Sequence, residues 1–422
     1  MRLTLSPELS GNSCGWNTMK IAVVGGGQAA IAFAAKMREL DSNAQITIVS
    51  GEQSLPYQRP PLSKAYMIGD MERERLLLRP ADWYEENRVD CLLGTTVEKI
   101  DGLNNCLSLS GGGKLEYDKL LIATGSRPRE LPEIIGGKLK GVYTLRDMKN
   151  ADALRSEMTP GRSALIIGGG YIGLEAAAVF SKNGLKVRVV EMADRILKRV
   201  ASVETADFVR AVHRSHGVEI SEGLGLDRLE GEGGRVTKAL FADGSAMSCD
   251  FVVAGIGAVP NDELAKDAGL QCSNGIEVDG HTRTSHYDVH AAGDVAQFEF
   301  RGSNIRLESV QNAIDQAEHA AKVIAGSEER YVPQPWFWSD QYDMKLQIAG
   351  LNMGYDETVI RPGSHENGQS IWYFSGGRFI AVDAINDSKA YMFGKKFLEM
   401  GKDITPAQAK DPDFDLKAFM RS

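Results

Sequence analysis

The chain has 422 residues, too many for one ordinary core, so two or three domains are expected. A hydrophobic share of 43% with 25% charged residues is that of a soluble globular protein, and no apolar run approaches the roughly 18–20 residues that span a bilayer. The formal net charge of -9 argues against nonspecific nucleic-acid binding as the main activity.

Residues 1–18 are polar and rich in Gly and Ser, with Arg2 their one cation, and read as a mobile extension. Met19 is a candidate functional start. Residues 20–35 then run strand, turn and helix. Ile21 to Val24 make a short β-branched run, and Gly25, Gly27 and Ala30 follow at the G-x-G-x-x-G/A spacing. Gly25 suits the tight turn, Gly27 lets backbone approach a pyrophosphate, and Ala30 keeps the helix close to its sheet. The helix N-terminus offers free N–H groups to phosphate. A second strand is expected over 45–50. An acidic residue at its end would hold a ribose. Ser50 stands there, followed by Gly51 and Glu52, so the acceptor is either the Glu52 carboxylate or backbone around Gly51.

Residues 55–64 carry Pro56, Pro60 and Pro61, which stiffen a loop and so hold Arg59 and Lys64 in place. The plainer reading is a Pro-capped helix start with two solvated cations. Helix is expected over 83–88, strands over 89–100 with Val97 among them, and a hairpin at 107–109 and 114–122 running into a sheet edge. Residues 120–125 and their echo at 251–257 read as crossings between domains, close to a cofactor.

The Gly motif returns at 163–178, where Gly168, Gly170 and Gly173 fill all three positions, after an expected helix over 147–158. Glu191 ends the next strand 23 residues after Gly168, near the roughly 20 expected of a ribose-binding acid. A carboxylate there favours a free 2′-hydroxyl, hence NADH over NADPH, although Arg195 and Arg199 are cations able to accept a phosphate. Two such sites suggest one tightly bound cofactor and one exchanging dinucleotide. Asp294 follows Gly293 at a strand end: either a plain Asp turn or, in a flavin site, an acceptor for a ribityl hydroxyl. A small-residue helix over 309–325 could turn its N-terminus to a flavin carbonyl. From Tyr331 alternating segments suggest an antiparallel sheet, with Trp336 and Trp338 near its start and short helices to Ser422.

The fold expected is α/β: two Rossmann-like dinucleotide-binding domains and a C-terminal α+β domain with an antiparallel sheet. The first domain would comprise 19–122 and 251–328, the second 123–250 and the third 329–422. The five cysteines, Cys14, Cys91, Cys106, Cys249 and Cys272, form no C-x-x-C pair and no metal-ligand cluster. Their odd number suits a reducing, cytoplasmic compartment, and the redox dithiol of disulfide reductases is missing.

Taken together, Arg-Pro-Pro-Leu-Ser-Lys at 59–64, Gly-Gly-Gly-Tyr-Ile-Gly-Leu-Glu at 168–175, Ala-Ala-Gly-Asp at 291–294, Glu-Ser-Val-Gln-Asn-Ala at 308–313 and Trp-Phe-Trp-Ser-Asp-Gln at 336–341 are specific. The chain resembles the FAD-dependent, NADH-using ferredoxin reductases of bacterial oxygenase systems, related in fold to glutathione reductase. It departs from them in the N-terminal extension, in Ala30 and at Ser50–Glu52. The resemblance implies FAD against Gly25, Gly27, Ala29, Gly51, Lys64, Val97, Arg146, Asp294 and Val310, with Glu52 and Arg59 as further candidates. It implies NADH on Gly168, Gly170, Ile172, Gly173, Glu191, Arg199 and Gly257.

The implied activity takes electrons in pairs from NADH and passes them singly to a [2Fe-2S] ferredoxin that serves a P450 or Rieske oxygenase, the reductase acting as a monomer. Lys64 would stabilise negative charge on the reduced flavin, and Glu175 would pair with Lys64, to adjust that charge or as an ordinary interdomain salt bridge. The C-terminal domain would cover the flavin and help dock the ferredoxin. Lys389, Lys395, Lys396, Lys402, Arg301 and Arg306 are candidate contacts around an apolar centre at Trp336 and Trp338. Two alternatives share the architecture: an NADH oxidase or other small-acceptor reductase, and a redox-sensing interaction protein like apoptosis-inducing factor.

Overall fold

A computed structural model describes residues 18–422 except 364 and 366. Apart from Thr18, the extension expected over 1–18 lies outside the described residues, as does Cys14.

Five parallel strands form the first sheet, in the order Val289–Ala291, Lys119–Ile122, Lys20–Val24, Gln45–Ser50, Val89–Leu93. Its central strand is apolar on both faces because both are covered. Ile21 and Val23 face the helices Gln28–Leu40 and Val310–Ile324, while Ala22 and Val24 face an antiparallel meander of Val97–Asp101, Cys106–Leu109 and Lys114–Glu116. The two helices meet through alanines, among them Ala29, Ala32, Ala313 and Ala317, which let their backbones approach closely. Lys119–Ile122 lies inside this sheet and not at the edge expected for it. Leu120, Leu121 and Ile122 are fully buried, and three such residues in a row require cover on both faces.

The plan is repeated. The second sheet is also parallel, in the order Glu219–Glu222, Lys186–Glu191, Ser163–Ile167, Phe251–Ala254, Val142–Tyr143. A second meander, Leu226–Glu232, Arg235–Phe241 and Ala246–Ser248, packs on Leu165 and Ile167. The boundary expected between 250 and 251 therefore needs correction. Phe251–Ala254 pairs along its length with Ser163–Ile167 and fills the second core, so the chain leaves this sheet only after Ala254. The two crossings lie side by side as an antiparallel pair, Ser126–Pro128 with Ala258–Pro260.

The C-terminal sheet is antiparallel, in the order Trp336–Gln341, Met344–Gly350, Arg378–Ile385, Gln369–Ser375, Glu357–Pro362. Alternation assigns its faces. Ile371 and Tyr373 join the core of the second Rossmann-like unit, while Trp372 and Phe374 pack with Phe393 and Phe397 under the closing helices.

A buried polar knot ties this sheet to the helix Val203–Ser215. Asp383 accepts from Thr205 Oγ1 at 2.7 Å and from the Tyr373 hydroxyl. Burial pushes its carboxyl up to about 6, with the two hydroxyls pulling it back. A group that holds its proton more tightly when folded contributes stability that is complete below the unfolded value near 3.8 and is lost as pH rises through about 6. His213 and His290 act in the opposite sense. Burial pushes both down to about 4, so their contribution is present above about 6.5 and lost as pH falls toward 4. Asp383→Asn should therefore gain stability relative to the parent by about 2–2.5 kcal/mol between pH 4 and pH 8. Urea unfolding across that range checks this; a constant difference between the two proteins would mean that Asp383 does not titrate.

Candidate functional site

Both Gly turns open into one cavity of about 1710 Å³, far above the roughly 300–1,000 Å³ of a pocket for a single drug-sized ligand. Every residue that the resemblance assigns to FAD or NADH lines it, as do Glu52, Arg59 and Glu175, whereas Ala30 and Arg195 do not. Local geometry explains the choice of residue at each turn. Gly25 has φ +122°, and a Cβ there would strike the Ala123 carbonyl. Gly168 has φ +105°, and its Cβ would strike the carbonyl of Gly255.

Gly27 and Gly170 differ from these. Each is the N-cap of a helix, with ordinary φ values of -112° and -82°, no side-chain cap, and nothing near the position of a Cβ. Open space and uncapped N–H groups at two helix starts fit two pyrophosphates. The residues present thus fit FAD and a nicotinamide dinucleotide.

On the first wall, Asp294 Oδ2 accepts from Ser126 Oγ (2.9 Å) and Arg146 (3.1 Å), while Oδ1 has no donor among the described residues. Ser309 caps the helix Val310–Ile324, whose N-terminus reaches the cavity. Glu52 and Arg59 are engaged with each other. The carboxylate accepts from Arg59 at 2.6 Å and from the Tyr57 hydroxyl at 2.5 Å, and Arg59 also donates to the Arg146 carbonyl at 2.9 Å. Ser50 is buried under the Gly turn, against Gly26. Pro60–Ser63 is a single 3-10 turn with proline at its start, so the Pro-rich loop holds Lys64 and also caps a short helix.

On the second wall, Glu191 accepts from the backbone N–H groups of Gly169 (2.7 Å) and Ala193 (2.8 Å). These bonds fix the carboxylate at the strand end, and each oxygen keeps a lone pair. Arg195 is turned away, donating to the carbonyls of Ile196, Ser202, Lys198 and Ala201. Lys198 pairs with Asp194 at 2.9 Å. Arg199 lines the cavity beside Gly257 and makes no ion pair among the described residues.

Where the walls meet, Lys64 Nζ lies 2.7 Å from Glu175 Oε2. The C-terminal sheet closes the cavity with Trp336, Phe337 and Trp338; the indoles of Trp336 and Trp338 are tilted at 5.5 Å. Lys395 lies 5.0 Å over the Trp336 ring, and both Lys395 and Lys396 approach Glu399. Two of the docking candidates are otherwise occupied. Lys402 donates to the Phe419 carbonyl at 2.9 Å. Arg306 is nearly buried, donating to the Asp294 carbonyl and pairing with Glu308.

Three residues were not singled out from the sequence: Ser63, Ser126 and Ser339, each bonded to a carboxylate of the site. Ser63 and Ser339 lie inside two of the motifs quoted above, and Ser339 also shares one face of its strand with Phe337, whereas Ser126 carries no such signal. No cysteine among the described residues lines the cavity. Burial pushes the thiols of Cys91, Cys249 and Cys272 up to about 12, 11 and 11, far from reactive. No helix among the described residues is long and apolar enough to cross a membrane, and none of their His, Cys, Asp and Glu cluster to hold a metal.

Residues 19–317 match the family described as pyridine nucleotide-disulphide oxidoreductase, and residues 336–420 match the reductase C-terminal family. The chain is 42% identical over 402 residues to rhodocoxin reductase of Rhodococcus erythropolis, covering 94% of each. Its fold is similar to the crystal structure of the ferredoxin reductase for the CYP199A2 system from Rhodopseudomonas palustris, with a TM-score of 0.92 and 37% identity over 95% of this chain and 99% of that one. It is equally similar to the covalent putidaredoxin reductase–putidaredoxin complex, at a TM-score of 0.92 and 35% identity over 96% and 99%. Matched through both Rossmann-like sheets, the chain belongs to the pyridine nucleotide-disulphide oxidoreductase family, and its C-terminal sheet to the reductase C-terminal family.

Proposed function

We propose that this protein is an FAD-dependent NADH:ferredoxin reductase, passing electrons singly to a [2Fe-2S] ferredoxin that supplies a P450 or Rieske oxygenase. One observation carries the reading: two dinucleotide turns share a single cavity that is lined by no cysteine among the described residues and is closed by tryptophans. The described lining thus offers no thiol for disulfide or thiol-peroxide chemistry. The names of the relatives, reductases of small redox proteins, support a protein acceptor. The four cysteines of the described residues, all free, suit a cytoplasmic setting.

Bound FAD supplies the redox chemistry, taking electrons as a pair and releasing them one at a time. The protein binds, orients and shields. Gly27 and Gly170 admit the two pyrophosphates to helix N-termini. Asp294 offers its open oxygen to a hydroxyl, with Arg146 and Ser126 holding the other. Glu191 selects a ribose with a free 2′-hydroxyl. The ammonium of Lys64, held by Glu175, faces the cavity, where a cation about 4 Å from a negative charge is worth a few kcal/mol at an effective dielectric near 20. Trp336, Phe337 and Trp338 exclude water from the centre.

The test is cytochrome c reduction by NADH with and without a [2Fe-2S] ferredoxin. Fast reduction only with ferredoxin is expected; rapid oxygen consumption with NADH alone would favour the small-acceptor alternative. A long-lived NADH charge-transfer complex with slow turnover would favour the sensor.

The acceptor docks where Lys395, Lys396 and Trp336 lie together, charge aiding encounter and the aromatic ring aiding hold. Reversing both lysines to Glu is expected to slow ferredoxin reduction about tenfold at low salt, with the loss shrinking as salt rises. NADH-ferricyanide activity should survive. Equal loss of both activities, or of neither, would remove this patch from the interface.

A further inference from the structure

The strand Trp336–Gln341 does more than close the cavity. Its side chains alternate, so Phe337, Ser339 and Gln341 share one face. That face runs along the helix Tyr171–Lys182 and onto the helix Val203–Ser215. Two strand residues advance about 6.7 Å and four helix residues about 6 Å, so the contacts stay in register. Phe337 meets Tyr171 at 4.9 Å between ring centroids, and Ser339 Oγ meets Glu175 Oε1 at 2.8 Å. Gln341 reaches His213 at 2.6 Å.

The bonds form a directed chain. His213 donates through Nε2 to Gln341 Oε1, the tautomer following from the acceptor. Gln341 Nε2 donates to Ser339 Oγ at 3.0 Å, and Ser339 donates to Glu175. Ser63 Oγ donates to the other carboxylate oxygen at 2.7 Å, alongside Lys64. Ser339, Gln341 and His213 are at most 1% exposed. Tyr342 completes the brace: it sits in the hairpin turn at φ +57° and stacks on His216 at 3.7 Å. A left-handed φ costs a bulky residue energy, and the stacking fixes the strand's register against the helix.

A strand needed only as a lid would fill this face with apolar side chains, since buried polar groups add little net stability even when bonded. Here every donor of the chain points toward one carboxylate. We propose that Ser339 and Gln341, braced by His213, are positioning residues for the Lys64–Glu175 pair. The C-terminal sheet thereby sets how firmly Glu175 holds the Lys64 ammonium, and so how much of that charge reaches the cofactor. This rests on the reading of the cavity as an FAD and NADH site.

The test uses the purified full-length holoprotein, with two readouts: the rate of anaerobic flavin reduction by NADH, and the midpoint potential of the bound flavin. Ser339→Ala removes the donor, and Ser339→Cys, nearly equal in size, keeps a weak one and guards against failure to fold. A hydrogen bond to a charged group is worth about 10- to 150-fold in full, and only part of it is felt at the cofactor. Ser339→Ala is therefore expected to slow the rate about 3- to 30-fold, with a shifted potential and Ser339→Cys between it and the parent. Gln341→Met should give a smaller change of the same sign. In a Glu175→Gln background, Ser339→Ala should change the rate less than about twofold. Equal losses in both backgrounds, or an unmoved potential, would make Ser339 merely structural and overturn the proposal. A parent protein reduced by NADH but indifferent to Ser339 sinks this inference alone. One that binds no flavin, or is not reduced by NADH, sinks the functional reading with it.

Discussion

Gly27→Val is expected to give a folded protein that retains no FAD. The backbone at Gly27 has φ -112°, open to any residue, and its Cβ would meet nothing in the protein. The fold therefore tolerates the change. The branched side chain instead fills the space through which a pyrophosphate must approach the helix N-terminus. Overlap of this kind costs the bound state ~3 kcal/mol or more, over about a hundredfold in affinity. Gly25→Val is a useful contrast, since its φ of +122° and the Ala123 carbonyl forbid the side chain and the fold itself should suffer. Visible flavin absorbance per chain, read beside circular dichroism, separates the two. Full flavin occupancy in folded Gly27→Val would place FAD elsewhere.

The second large effect is expected at Glu191. A ribose hydroxyl bonded to a carboxylate contributes about 1.5–3 kcal/mol, so Glu191→Ala should lower kcat/KM for NADH at least ~10-fold. NADPH should gain relative to NADH, because Arg199 lies in the same cavity with no acidic partner among the described residues, while Arg195 is bound to backbone carbonyls. Glu191 also holds the N–H groups of Gly169 and Ala193, so its loss loosens the turn for both coenzymes. The ratio of the two kcat/KM values isolates the ribose contact. An unchanged ratio would contradict the assignment.

Features governed by local backbone were legible in the sequence. Gly25 and Gly168 had to be glycine for reasons of φ and close approach, and the helix ends near Asp147 and Ser309 follow from capping side chains. What was not legible depends on partners far along the chain. Arg59 reads as a free cation until the fold brings it to the carbonyl of Arg146, 87 residues away. Arg306 and Lys402 read as surface charges, and only packing reveals the carbonyls they serve. Residues 251–254 looked like the start of a return to the first domain because an apolar run does not say which sheet it completes. Ser339 was overshadowed by the tryptophans beside it; its partner Glu175 is 164 residues away.

The proposed function requires that electrons taken as a pair from NADH leave one at a time for separate ferredoxins. Anaerobic titration of excess oxidised [2Fe-2S] ferredoxin with NADH, using a catalytic amount of the protein, tests it most directly. A pair of ferredoxins should be reduced for each NADH consumed, at a rate that depends on bound FAD. NADH consumed without ferredoxin reduction, or ferredoxin reduced equally well by flavin-free protein, would contradict it.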